Sequence, residues 1–243
     1  RKQNPFRNAL EWLMIRLRPS HILILIVIIA IIAGVAIIKN SGSPTREFAE
    51  ALNERNYEHA AQLYDENYKG KSDLEASSEA EFAAYLNNLK QHALEGKSTY
   101  SATNTALDVI KSSALYTGKY KVLVDETAEA LVILQQADVL FEAGKDKMNN
   151  LDYEGAIQDF NQVLGLYPGF PETADLLATC RDRYREDVIR DVGVLQSQSK
   201  YREADELISH ALSLIPDDPV LKDLKKNNDT QSVSELYQAT RNT

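Results

Sequence analysis

ADVLFEAGKDKMNNLDYEGAIQDFNQVLGLYPGF, residues 137–170, is the stretch whose reading decides the fold. Leu140 and Gly144 stand one turn apart before the polar break at Asn149-Asn150. Ala156, Phe160 and Val163 keep the same spacing after it, so a 3.6-residue period runs on both sides. Pro168 ends the second run, because its ring and missing N–H cannot continue a helix. The pattern returns downstream. Tyr153-Glu154-Gly155-Ala156 recurs 48 residues later as Tyr201-Arg202-Glu203-Ala204. The same offset pairs Phe160 with Ile208, Val163 with Ala211, Leu164 with Leu212, Leu166 with Leu214 and Pro168 with Pro216. Self-similarity at a fixed step is the mark of stacked repeat units. A weaker copy lies upstream, Asn56-Tyr57-Glu58-His59-Ala60 followed by Leu63 and Tyr64.

On these residues the chain resembles the tetratricopeptide repeat family, whose unit is a helix–turn–helix of about 34 residues. Leu140, Gly144, Ala156, Phe160 and Pro168 fill that pattern within residues 137–170. Gly144 and Ala156 permit close helix approach, and Phe160 fills the space between helices. The second unit, near 185–218, keeps Ala204, Ala211 and Pro216 but has Val192 at the small position, with Gly193 beside it. A step of 48 rather than 34 implies a lengthened helix, from near Pro171 through Ala174, Leu177, Tyr184 and Val188. Tyr57, Tyr64, Tyr153 and Tyr201 are expected between helices. The resemblance implies a concave face that receives a peptide or partner helix, lined in the first unit by Lys145, Met148 and Asn149.

Outward from this stretch the chain is mainly α. Residues 46–124 form the N-terminal part of a soluble domain, with a weak repeat and an irregular middle, and 125–243 the repeat-like part. Thr45 is expected to cap the first helix, Ser78–Leu94 to form an amphipathic helix ending at Gly96, and Asp125–Asn149 a long one. Tyr116–Val124 (YTGKYKVLV) alternates enough to suggest a short strand or hairpin.

Ile22–Ile38 reads ILILIVIIAIIAGVAII, 17 apolar residues without a charge. With its flanks it matches the roughly 30 Å hydrocarbon layer, and it has no polar face with which to sit in a soluble core. Residues 21–39 are therefore read as a single membrane span that contacts lipid, and 40–45 as a joint. The rival reading is a cleaved leader with Gly34-Val35-Ala36 near the cut, but the apolar run exceeds the usual leader core and points to an uncleaved signal-anchor. Residues 1–20 hold five Lys or Arg, which places the N-terminus in the cytoplasm and the C-terminal domain outside. Within them, Phe6, Leu10, Leu13 and Leu17 give an amphipathic segment suited to the lipid interface.

Charge narrows the partners. Residues 1–39 carry a net +5, and 40–243 carry 21 basic against 35 acidic side chains, a net −14. An acidic domain is a poor ligand for phosphate backbones, so nucleic acid is disfavoured. Cys180 is the single cysteine, which rules out an internal disulfide and a thiolate metal cluster. His21, His59, His92 and His210 are too far apart in sequence for a local zinc motif, and no phosphate loop or nucleophile elbow occurs. Asp217-Asp218, between Pro216 and Pro219, reads as a helix cap rather than a cation site. Tyr68, Tyr100, Tyr116, Tyr120 and Tyr167 lack an obvious core role and suit an interface. The sum is a membrane-anchored, non-enzymatic adaptor that binds one or more proteins and needs no cofactor, with a bacterial membrane the expected setting for an outer domain without disulfides. A cell-envelope enzyme or ligand-binding protein with a site in 70–125 stays open beside it, as does an accessory subunit of a larger membrane complex.

Overall fold

The computed structural model describes residues 44–241. The expected span at 21–39, the basic segment at 1–20 and residues 40–43 of the joint lie outside the described residues. Among the described residues there are nine α-helices and no strand: α1 (Pro44–Asn53), α2 (Tyr57–Asn67), α3 (Ser72–Leu94), α4 (Tyr100–Lys111), α5 (Gly118–Asn149), α6 (Tyr153–Leu166), α7 (Thr173–Ser197), α8 (Tyr201–Leu214) and α9 (Pro219–Arg241). None of these helices is long and apolar enough to cross a membrane. The contacts divide the chain between Leu131 and Val132 into two compact units. Helix α5 gives its first turns to one and its remainder to the other.

The first unit is built on aromatics. α1 and α2 form a hairpin whose turn places Arg55 at φ 60°, and Asn56 caps α2 by accepting a hydrogen bond from the His59 amide at 3.2 Å. Phe48, Leu52, Tyr57, Tyr68, Phe82, Leu86, Ile110 and Tyr120 form the core. The Tyr120 ring lies 4.9 Å from Phe82, 5.1 Å from Tyr64 and 6.2 Å from Phe48, centroid to centroid.

Four expectations for this unit need correction. Tyr116–Val124 is no strand: Gly118 opens α5, and the buried Tyr120 and Val124 stand four apart on one helical face. Burying that face outweighs the β preference of its valines. The middle is not irregular, since α3 and α4 fill it and residues 112–117 alone connect α4 to α5. α1 begins at Pro44, suited to a first turn because its missing N–H has no helical partner there. Thr45 sits inside that turn and is buried, so it is not the cap. α3 begins at Ser72 rather than Ser78, and α5 at Gly118 rather than Asp125.

The second unit stacks α6 on α7, α7 on α8 and α8 on α9. α6 and α8 are both 14 residues long and begin at Tyr153 and Tyr201, so the 48-residue step in sequence is also a step in structure. The extra length falls in α7, as expected. Thr173, Leu177, Cys180, Tyr184, Val188 and Val192 bury one stripe along its 25 residues. The two hairpins solve the same packing problem differently. In the first, a Cβ on Gly144 would meet Phe160 Cε1 at 2.7 Å, so a large ring faces a bare backbone. At the equivalent positions of the second, Val192 and Ile208 are both fully buried, two mid-sized side chains in place of none and one large.

Candidate functional site

The repeat-pattern residues serve as structure. Gly144, Ala156, Phe160, Ala204, Ile208 and Ala211 are buried, Leu140, Tyr153 and Tyr201 are half-buried, and Pro168 and Pro216 are exposed at helix ends. Above this apolar layer runs a polar one that ties helix to helix. Lys147 of α5 pairs with the buried Asp159 of α6 at 2.7 Å. Glu154 of α6 accepts from the Tyr184 hydroxyl of α7 at 3.4 Å and lies 2.8 Å from His210 Nε2 of α8. Burial first, and the Glu154 charge second, push the Tyr184 phenol up to about 12, so it stays a neutral donor. Gln196 of α7 donates to Asn228 of α9 at 3.0 Å, and Asn228 donates to the Tyr201 carbonyl at 2.9 Å. His210 thus stands at a helix boundary in a structural contact. Asp218 is the cap of α9, accepting from the Val220 and Leu221 amides at 2.9 and 3.0 Å, as its sequence position implies.

Lys145, Met148 and Asn149 line neither of the two grooves described below. Lys145 is engaged locally, 2.8 Å from Glu142 and 5.2 Å above the Phe141 ring. Met148 is half-buried and Asn149 exposed. The apolar groove of this unit lies elsewhere on the same helix, lined by Val132, Gln135, Gln136, Val139 and Leu140 of α5 with Leu166 at the end of α6, and it measures about 560 Å³. Val132 is 54 % and Val139 65 % exposed, and with Leu166 at 37 % they place apolar surface side by side rather than singly. Of the residues singled out in sequence, Leu140 and Leu166 line it. The signal was present: Val132, Gln136 and Val139 recur at helical spacing on a face other than the one holding Leu134, Ala137 and Phe141.

In the first unit a second groove lies between α3 and α5, floored by Ala76, Ala80, Ala83, Val122 and Leu123 and crossed by the Lys119–Glu79 ion pair at 2.7 Å. The tyrosines nearby are core. Tyr68 and Tyr120 are buried, contrary to the expectation of interface aromatics, and Tyr100 and Tyr116 are half-buried against the same core. Tyr57 and Tyr85 share a 2.7 Å hydroxyl contact, and Tyr120 donates to Ser78 at 2.6 Å. Burial raises the Tyr85 and Tyr120 phenols above the ordinary tyrosine value, so both remain uncharged. Burial likewise raises the Cys180 thiol, which suits a packed side chain better than a nucleophile. Among the described residues no three His, Cys, Asp or Glu side chains gather to hold a metal ion.

Comparison with family models, with curated proteins and with solved structures returns no match to this chain. What fold and surface together define is a mainly α protein whose described part consists of two helical units.

Proposed function

We propose that this chain is a membrane-anchored, non-enzymatic adaptor whose helical, tetratricopeptide-like part binds protein partners at the outer face of a bacterial membrane. The observation that carries the binding half is the α5 groove. Val132, Val139 and Leu166 gather exposed apolar surface along one groove, and the hydrophobic cost of that exposure is relieved when a partner covers it. The anchoring half rests on the uncharged run Ile22–Ile38 and the excess of Arg and Lys before it. The non-enzymatic half is supported by Lys147–Asp159, Glu154–His210 and Gln196–Asn228, polar side chains taken up in joining one helix to another.

The test is detergent extraction of the tagged full chain followed by mass spectrometry, beside a Val139→Lys variant. A stoichiometric partner that is retained by the wild type and lost by the variant supports the reading. Its persistence with Val139→Lys, or a chain that purifies alone under mild conditions, overturns it.

A further inference from the structure

The last turns of α9 have no counterpart in the core. Asn228 is the final buried residue, and from Asp229 to Arg241 no side chain with a described environment is buried. A helix of that length is marginal in water by itself, and Thr230, Ser232, Val233, Ser234 and Thr240 are weak helix formers. These turns nonetheless present an apolar stripe: Val233 at 66 %, Leu236 at 66 % and Tyr237 at 69 % exposure, spaced i, i+3, i+4. A helix with this composition is stabilised by something that covers the stripe.

We propose that the cover is the same stripe of a second copy, the two α9 ends pairing antiparallel about a two-fold axis. Charge selects this occupant. Asp229 stands at one end of the stripe and Arg241 at the other, and no ion pair engages either among the described residues. Antiparallel pairing sets each acid end beside the basic end of its mate, whereas parallel pairing sets like against like. A lipid surface would call for clustered cations, and these turns contain Arg241 alone against Asp229 and Glu235. The interface is small. Three apolar side chains per copy fall short of the roughly 1,200 Å² of a freestanding interface, so the pairing is reversible and depends on chain density. This inference uses residues remote in sequence from the α5 groove and stands whether or not that groove binds a partner.

Cysteine cross-linking tests it cleanly, because the one native thiol, Cys180, is fully buried. The full chain carrying Leu236→Cys is reconstituted at a series of rising densities in phosphatidylcholine vesicles and treated with a short bis-maleimide. A covalent dimer is expected, with Gln238→Cys, on another face of the helix, giving about tenfold less. Val233→Lys with Tyr237→Lys removes the product while the circular dichroism of the remaining helices is retained. Asp229→Arg lowers the yield by about threefold, and Asp229→Arg with Arg241→Asp restores it. Equal yields from positions 236 and 238, no dimer from Leu236→Cys at any density, or a charge swap that fails to restore pairing would each overturn the proposal.

Discussion

Gly144 and Gly193 sit mid-helix in α5 and α7, and intrinsic propensity would favour alanine at both by about 1 kcal/mol. Their surroundings give the two changes opposite signs. A methyl on Gly144 would press on Phe160, a fully buried ring whose centroid lies 5.9 Å from that of the buried Phe141. Gly144→Ala should therefore destabilise the second unit by about 1–3 kcal/mol net, and Phe160→Leu in the same chain should recover part of the loss. A Cβ on Gly193 meets nothing within 4 Å, so Gly193→Ala should stabilise by about 0.5–1 kcal/mol. Urea unfolding followed by circular dichroism decides both, and a loss for Gly193→Ala equal to that for Gly144→Ala would contradict the packing described. At this scale the sequence was legible where a pattern named a contact, as with Gly144 and Phe160. It misled where a side chain's partner came from far along the chain. Tyr68 and Tyr120 looked unplaced because Phe48 lies 20 residues from the first and 72 from the second, and Phe82 lies 38 from Tyr120, partners beyond the reach of any local period.

Helices were easier to read than their ends. The 48-residue step and the lengthened α7 follow from apolar spacing, which side-chain burial enforces over many turns. The strand reading of Tyr116–Val124 failed because nine residues cannot distinguish a weak alternation from two turns of helix; only the buried pair Tyr120 and Val124 does. The start of α9 was legible because capping is local chemistry. Burial tends to raise the Asp218 carboxyl, but the Leu221 amide, the Arg185 guanidinium at 3.0 Å and the Val220 amide outweigh it and hold the group below the ordinary aspartate value. A carboxyl depressed on folding binds fewer protons in the native state than in the unfolded one near its titration range. Its stabilising contribution is thus complete above the unfolded value of about 3.9 and is lost as pH falls through the lower native value. Asp218→Ala should cost about 2–3 kcal/mol at pH 7, from the lost cap and the lost ion pair with Arg185, which keeps Asp182 at 2.8 Å, and markedly less in acid that protonates the native carboxyl. Asp218→Asn, which can still accept from both amides, should cost less than alanine at pH 7. Equal losses for the two variants at neutral pH would show that the ion pair, not the cap, carries the contribution.

For the whole molecule, the arrangement of charge and apolar residues argues for function at a bilayer. A net −14 on residues 40–243 keeps the helical part soluble and away from anionic surfaces, while the +5 of residues 1–39 is attracted to them. Residues 1–39 include Ile22–Ile38, 17 residues that give water nothing to hydrate except backbone. If that stretch spans the membrane, its stability there should be sensitive to one central charge and indifferent to the helical units. Ile29→Arg costs about 2.5–3.5 kcal/mol on insertion scales, enough to turn efficient integration into a minority outcome. The expected result is that the wild-type chain resists alkaline carbonate extraction and exposes a C-terminal tag to protease added outside intact cells. The Ile29→Arg chain should extract and leave its tag protected, while Ile29→Leu behaves as wild type. A soluble wild-type chain would remove the anchor from the proposed function. A resistant chain whose tag is reached only from the cytoplasmic side would keep the anchor and reverse the compartment in which the α5 groove meets its partner.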